Sequence, residues 1–307
     1  MFKDKNINVD YVDEPHGPIY TFFLAFGGHF LNLMSANIIY VILNLPGMAL
    51  AFLFSLLLLP QVSSVFIPDN FVEYMSQFGI VGNAVMNDIG TDAVYQLYYI
   101  MLFFITTFLV GIGVFAIGPF QAGFEHLYRN IYRKNIVYLI SDIKEGIVKN
   151  IKQSSIAMLI SYLFTIVILY AAAFYKNNFG SVGLAVSVFF CVVFVVFTFI
   201  QNMVYQMIVS VDLPLKKIYK NAVIFFFMRP GKSLGLILVA YVLLLIIPYI
   251  LFLSTMYIAY AVAFFTIFTI VISFVQFMFA YYTGGLINEF ILVNSDETSN
   301  EETQGDS

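Results

Sequence analysis

The sequence predicts an all-α fold, a polytopic transmembrane helix bundle of about six spans with amphipathic cytoplasmic helices. Of its 307 residues 61% are apolar and 10% charged, and the mean hydropathy is +0.90. A soluble domain has about 25% charged residues. The apolar residues form long uncharged runs, and about 20 such residues cross the hydrocarbon as a helix that satisfies its own backbone hydrogen bonds. The positive charges fall almost entirely on one side of these runs.

The apolar runs place the spans in order along the chain. The predicted spans are residues 36–59, 93–117, 154–175, 182–210, 233–253 and 256–282. The last two come from one uncharged run that is too long for a single helix, and the turn between them is expected at Ser254 and Thr255. The whole transmembrane domain is residues 18–285, after an N-terminal tail formed by residues 1–17.

Residues 18–35 are apolar but contain Gly27, Gly28, His29 and Asn32. Their phenylalanines recur at helical spacing, which favours a helix lying in the headgroup plane before the first span. A seventh span is the alternative, and it would move only the N-terminus to the other side.

The positive charges fix the predicted orientation, because Lys and Arg near span ends stay cytoplasmic. Thirteen of the fourteen lie on one side of the predicted spans, and Lys176 alone lies on the other. The thirteen are Lys3, Lys5, Arg129, Arg133, Lys134, Lys144, Lys149, Lys152, Lys216, Lys217, Lys220, Arg229 and Lys232. Both termini are therefore predicted to be cytoplasmic.

The loop 60–92 carries Asp69, Glu73, Asp88 and Asp92 and no base, which suits an external loop. Residues 286–307 are predicted to form an acidic disordered cytoplasmic tail, since their composition is polar from Asp296 onward. The richness of the chain in Ile, Asn, Lys, Phe and Tyr indicates a bacterial source, and hence the bacterial plasma membrane.

Two cytoplasmic loops, residues 118–153 and 211–232, have helical amphipathic patterns. In the first loop an apolar stripe through Phe124, Leu127 and Ile131 lies opposite a polar face that includes Glu125 and His126. A second stripe follows, with Ile140, Ile143, Ile147 and Ile151 on one side and Lys144, Glu145, Lys149 and Lys152 on the other.

The sequence allows two interpretations of the basic helices. They serve only as a topology signal in the headgroup region, or they form a docking surface for a soluble partner or anionic lipid. The candidate docking residues are Arg129, Arg133, Lys134, Lys144, Lys149, Lys216, Lys217 and Lys220.

The predicted spans contain no Asp, Glu, Lys, Arg or His in their cores, which argues against an intramembrane proton relay. Gln201, Asn202 and Gln206 cluster near the cytoplasmic end of the fourth span. They predict either hydrogen bonds between helices or the lining of a polar cavity.

No catalytic, metal-binding or cofactor-binding pattern is present, so no enzyme, metal, cofactor or nucleic-acid partner is predicted. His16, His29 and His126 are scattered, and the single Cys191 excludes an intrachain disulfide. For a lipid-modifying enzyme, the least favoured alternative, Glu125 and His126 are the nearest candidates.

Several runs resemble the YesL-like family of bacterial integral membrane proteins. They are Gly27 to Leu33 leading into Asn37 to Pro46, then Ile117 to Gly123, Lys149 to Ser154 and Leu213 to Ala222. The family has no established biochemical activity, and its members are often encoded beside carbohydrate-uptake ABC transporters. The resemblance therefore implies an accessory or regulatory subunit linked to carbohydrate uptake, with ABC transporter subunits as partners. A channel or carrier for an uncharged solute is the alternative, and the oligomeric state is left open.

Overall fold

The structure is a computed structural model that describes residues 17–77, 91–253 and 257–292. All the elements in these residues are helices, which confirms the all-α class. The α-helices are α1 (Pro18–Gly28), α2 (Phe30–Leu43), α3 (Leu45–Val62), α4 (Pro68–Gln77), α5 (Thr91–Gly111), α6 (Gly118–Tyr132), α7 (Leu139–Asn178), α8 (Gly180–Ser210), α9 (Leu215–Met228), α10 (Pro230–Tyr241), α11 (Ile247–Leu253), α12 (Tyr257–Thr266) and α13 (Ile272–Ile287). Short π-helical turns occupy Val242–Ile246, Ile267–Val271 and Asn288–Leu292, and a 3-10 turn occupies Ser64–Phe66.

Five helical segments of the described chain are long and apolar enough to cross a membrane, so the protein is a multi-pass membrane protein. They are Leu45–Val62, Leu139–Asn178, Gly180–Ser210, Pro230–Phe252 and Ile258–Ile291. A shorter apolar stretch, Tyr95–Gly111, lies in α5. Helices α1 and α2 together count as a sixth candidate, but they are bent by 75° at the break between them.

The predicted first span, residues 36–59, is divided between two helices at Asn44. Helix α2 ends at Leu43 and α3 begins at Leu45, with Pro46 in its first turn, where a missing N–H costs nothing. The Asn44 side chain ties the end of α2 to the start of α6, because its amide donates to Tyr40 O at 2.9 Å and accepts from Ile117 N at 2.7 Å. The membrane-crossing helix is thus α3, and α2 is a separate element.

Helices α1 and α2 meet at His29, and α1 packs on α13. Phe22 is buried there against Phe277 and Tyr281, with ring centroids 5.5 Å away in both contacts. Residues 18–43 are therefore a bent pair of short helices instead of one straight segment. The interfacial placement of residues 18–35 stays a prediction.

The predicted second span, residues 93–117, ends early, because α5 stops at Gly111 and a buried turn follows. Gly113 adopts a φ of +78°, a conformation that favours glycine. The carbonyl groups of this turn are bound by side chains from other helices. Asn202 donates to Ile112 O at 2.7 Å, Ser161 to Val114 O at 2.9 Å, Tyr162 to Phe115 O and Ala116 O at 3.0 and 3.2 Å, and Gln276 to Gly111 O at 3.2 Å.

The predicted third span and the amphipathic segment before it form one helix, the 40-residue α7. At 1.5 Å per residue such a helix is about 60 Å long, roughly twice the hydrocarbon thickness. The N-terminal part of α7 therefore projects beyond the membrane-crossing part. Helix α6 runs antiparallel beside this projection, with Gly118 against Ser154 and Gly123 against Ile143.

Helix α6 has the predicted apolar stripe, but its polar face is buried as well. Glu125 has no exposed surface, and His126 and Asn130 are buried with it. The helix is enclosed by α7, α8 and α13. Amphipathic spacing could not reveal this, since it identifies an apolar face without showing what covers the other face.

The π-helical turn before α13 is held by a side chain from α2. The amide of Asn37 donates to Ile267 O at 2.9 Å and accepts from Ser273 N at 2.7 Å. A π turn leaves backbone groups without their usual partners, and Asn37 supplies both partners. The contact ties α2 to α13.

Several predicted segments lie wholly or partly outside the described residues. They are the N-terminal tail, the second half of the loop 60–92, the turn at Ser254 and Thr255, and the tail beyond Leu292. The start of the predicted disordered tail is wrong, since helical structure continues through Leu292. Arg229 pairs with Glu289, and Phe225 contacts Phe290, so this stretch packs on α9.

Candidate functional site

The helices bring the two basic loops to one end of the bundle. At the opposite end Lys176 donates to Val62 O at 2.7 Å, so the C-termini of α3 and α7 lie together. At the end that carries the two loops, Arg129 of α6 donates to Val209 O near the C-terminus of α8. We call the end formed by residues 118–153 and 211–232 the basic end. It carries eleven of the twelve Lys and Arg residues in the described part of the chain.

The N-terminal part of α7 contacts the segment that leads into α9 at the basic end. Gln153 donates to Leu213 O at 3.1 Å, which joins α7 to the segment leading into α9. Exposed lysines occur in both of the parts that this contact joins, and we call these lysines the lysine surface. They are Lys144, Lys149, Lys152, Lys216, Lys217 and Lys220.

Apolar side chains are exposed among these lysines. Ile140, Val148 and Ile151 have exposed fractions of 64%, 66% and 54%. The predicted stripe of four isoleucines on α7 is therefore divided, since Ile143 is buried but Ile140 and Ile151 are not. Gly146 explains the division, because a Cβ there would lie 2.6 Å from the Cβ of His126, so this face of α7 abuts α6.

Three of the predicted docking residues lie on α6 or directly after it and are not part of the lysine surface. Arg129 is partly buried and binds the carbonyl end of α8, where a positive charge is favourable. Arg133 and Lys134 follow the end of α6, and Lys134 has a φ of 56°. Lys134 borders a cavity of about 250 Å³ between α1, the end of α6 and α13, which Thr21, His29, Tyr132 and Tyr281 also line.

The three amides predicted to line a polar cavity or to join helices are buried and bound to protein atoms. Gln201 donates to Ala157 O at 3.1 Å and accepts from Tyr219 at 2.9 Å. Asn202 donates to Ile112 O, and Gln206 lies against Glu125. These are the contacts that the helix-packing alternative predicts.

Glu125 belongs to a connected set of buried polar groups. Gln121 donates to Glu125 Oε1 at 3.0 Å, and Gln121 Oε1 accepts from Tyr40 at 3.0 Å. Gln276 donates to the same Gln121 oxygen at 3.4 Å. The set joins α2, α6 and α13, and Gln206 adds α8 from the other side of the carboxyl group. The sequence signal was the spacing of Gln121 and Glu125 on one helix face, four residues apart.

Burial controls the titration of the two ionisable groups at this point of α6. Removal from water raises the pKa of Glu125 to about 8, while the hydrogen bond from Gln121 works in the opposite direction. Burial, followed by the nearby charge of Arg129, lowers the pKa of His126 to about 4. At neutral pH both side chains are therefore largely uncharged.

No group of three or more His, Cys, Asp or Glu residues in the described chain could hold a metal ion. Glu125 and His126 are both buried, which does not suit attack on a lipid headgroup. No protein-family model, curated protein or solved structure matches the chain. The resemblance to the YesL-like family stays a prediction.

Proposed function

We propose that this protein is an accessory or regulatory membrane subunit that binds a partner through the lysine surface. The observation that carries the proposal is the contact between Gln153 and Leu213, which joins two separate loops that both carry exposed lysines. A topology signal alone requires only that the bases lie on one side of the membrane. It does not require them to be assembled around exposed apolar side chains.

The composition of the surface suits a protein partner with acidic residues. Val148 and Ile151 offer apolar area next to lysines that provide charge complementarity. Apolar contacts supply affinity, while complementary charges guide the encounter and favour one orientation. Anionic lipid would gain about 1 kcal/mol from each lysine close to the headgroups, so it is the competing occupant in any test.

The interior supports a scaffold more than a solute path. Gln201, Asn202 and Gln206 are the polar residues that a channel or carrier of this chain would use, and protein atoms bind all three. A transport path would require these amides to exchange protein partners for solute.

The proposed partner is an ABC-type carbohydrate importer in a bacterial plasma membrane, with the basic end and both termini in the cytoplasm. The importer is taken from the YesL-like resemblance, and the orientation from the positive-inside rule. The lysine surface would then face the nucleotide-binding and cytoplasmic parts of the importer.

The test is affinity purification from native membranes in mild detergent. We expect importer subunits with the wild type and their loss when Lys144, Lys216 and Lys217 are replaced by Gln. A matched triple replacement of Arg133, Lys134 and Lys232 by Gln removes the same charge from the same end but away from the surface, and should retain the partner. Equal recovery with both triples, or no importer subunit with the wild type, would contradict the proposal.

A further inference from the structure

The carboxyl group of Glu125 is enclosed by neutral partners. It is fully buried, and Gln121 donates to its Oε1 at 3.0 Å. One end of the Gln206 amide lies 2.7 Å from Oε2 and 3.3 Å from the backbone oxygen of Glu125. A charged carboxylate in such a place would normally have a cationic partner.

The charged groups nearest in sequence are bound elsewhere. His126 lies 3.9 Å from Glu145, and Arg129 binds Val209 O. The titratable groups that face Glu125 from the surrounding helices are tyrosines, namely Tyr40 of α2, Tyr128 of α6 and Tyr205 of α8. No base stabilises the carboxylate among the groups that act on it in the described chain.

The Gln206 amide can serve either protonation state, because its two ends are alike in size and opposite in hydrogen-bonding character. With nitrogen toward Glu125 it donates to an ionised Oε2 and to the backbone oxygen. With oxygen toward Glu125 it accepts the O–H of a protonated Oε2 across the same 2.7 Å, while its nitrogen then faces other donors, so this orientation requires the proton on Glu125. Both states of the acid are thereby provided with a partner.

We propose that Glu125 is a reversible proton-binding site and that the orientation of the Gln206 amide follows its occupancy. Binding of the proton to Oε2 neutralises the carboxylate and turns the Gln206 oxygen toward it. Release of the proton turns the nitrogen toward it. The proton is the only species gained or lost.

The site lies where a change in occupancy acts on helix packing. Glu125 and Gln206 join α6 to α8, and the contact from Arg129 to Val209 lies one helical turn further along both helices. Proton occupancy therefore acts on the same pair of helices that supports the basic end. The inference does not depend on a partner for the lysine surface.

Infrared difference spectroscopy of the purified protein tests the site, since a protonated carboxylic acid has a C=O stretching band that the carboxylate lacks. Between about pH 6 and about pH 10 we expect the wild type to lose one such band, with a midpoint well above that of an ordinary glutamate. The band should be absent in Glu125→Gln. It should remain in Glu145→Gln, which changes a carboxylate of 44% side-chain exposure at the same end.

Gln206→Leu tests the coupling separately, and it keeps the proposal testable if Glu125→Gln fails to fold. Leucine removes the amide donor from the ionised state, and a hydrogen bond to a charged acceptor is roughly twice as strong as one to a neutral acceptor. The midpoint should therefore move to higher pH. An unchanged or lower midpoint would overturn the coupling, and a carboxylic acid band that titrates at ordinary glutamate pH would overturn the site.

Discussion

Replacement of Glu125 by Gln should remove most of the fall in stability between neutral and mildly alkaline solution. The substitution keeps the size of the side chain and imitates the protonated acid, because an amide nitrogen can donate to the Gln206 oxygen where the O–H did. The buried contacts of α6 with α8 are thus retained, while the ionisable group is removed.

The magnitude follows from the two pKa values of the group. Burial raises the pKa of Glu125 from 4.5 to about 8. Below the lower value the folded and unfolded chains both hold the proton, and the free energy of unfolding has its full value. Between the two values only the folded chain holds the proton, so stability falls as the pH rises and the loss is complete above the higher value. At about 1.4 kcal/mol per pH unit, the loss over this window is at most about 5 kcal/mol.

The assay is the apparent Tm of the purified protein in detergent at a series of pH values. We expect the wild type to lose a few degrees between about pH 7 and about pH 9, a range above that in which the buried His126 would raise stability with pH, and Glu125→Gln to lose much less and to be the more stable protein at the alkaline end. Glu145→Gln should keep the wild-type slope, because that carboxylate is exposed. A wild-type Tm that is flat or rises over this range, or a Glu125→Gln slope equal to the wild-type slope, would refute the reasoning.

Three further predictions test the packing and the topology. Tyr162→Phe should destabilise the fold by about 1–3 kcal/mol, because two carbonyls of the buried turn lose their donor, whereas Tyr170→Phe at an exposed tyrosine should be neutral by the same thermal assay. Gly146→Ala should lower the Tm, since the new Cβ would meet the Cβ of His126 at 2.6 Å, while Gly235→Ala, with open space around it, should not; equal effects would contradict the α6–α7 contact. In a Cys191→Ala background, a cysteine at exposed Asn178 should react with an impermeant reagent added outside intact cells and one at exposed Ser141 should not, and reversed labelling would invert the orientation.

The sequence predicted the class and most helix positions, because long apolar runs are decisive in a membrane protein. It predicted less well where helices stop inside apolar sequence. The ends of α2 and α5 depend on Asn44, Gly113 and side chains from distant helices that bind the freed backbone groups. Such partners are separated by up to 165 residues, as for Gln276 and Gly111, and local patterns carry no information about them.

The candidate site was likewise predictable from the sequence only in part. The bases of the lysine surface were recognisable from charge and spacing, but their assembly depends on the Gln153 contact with Leu213. Helical spacing placed Glu125 on the polar face of α6, opposite the apolar stripe. Its burial follows from the enclosure of α6 by three helices, a tertiary effect that periodicity does not contain.

The most direct test of the proposed accessory role is site-specific photocrosslinking in native membranes. A photoreactive residue at Val148, on the lysine surface, should form a crosslink to a subunit of a carbohydrate importer. The same residue at Val182, which is 73% exposed near the opposite end, should not. Crosslinks from Val148 to lipid alone, or to a second copy of this chain alone, would contradict the account.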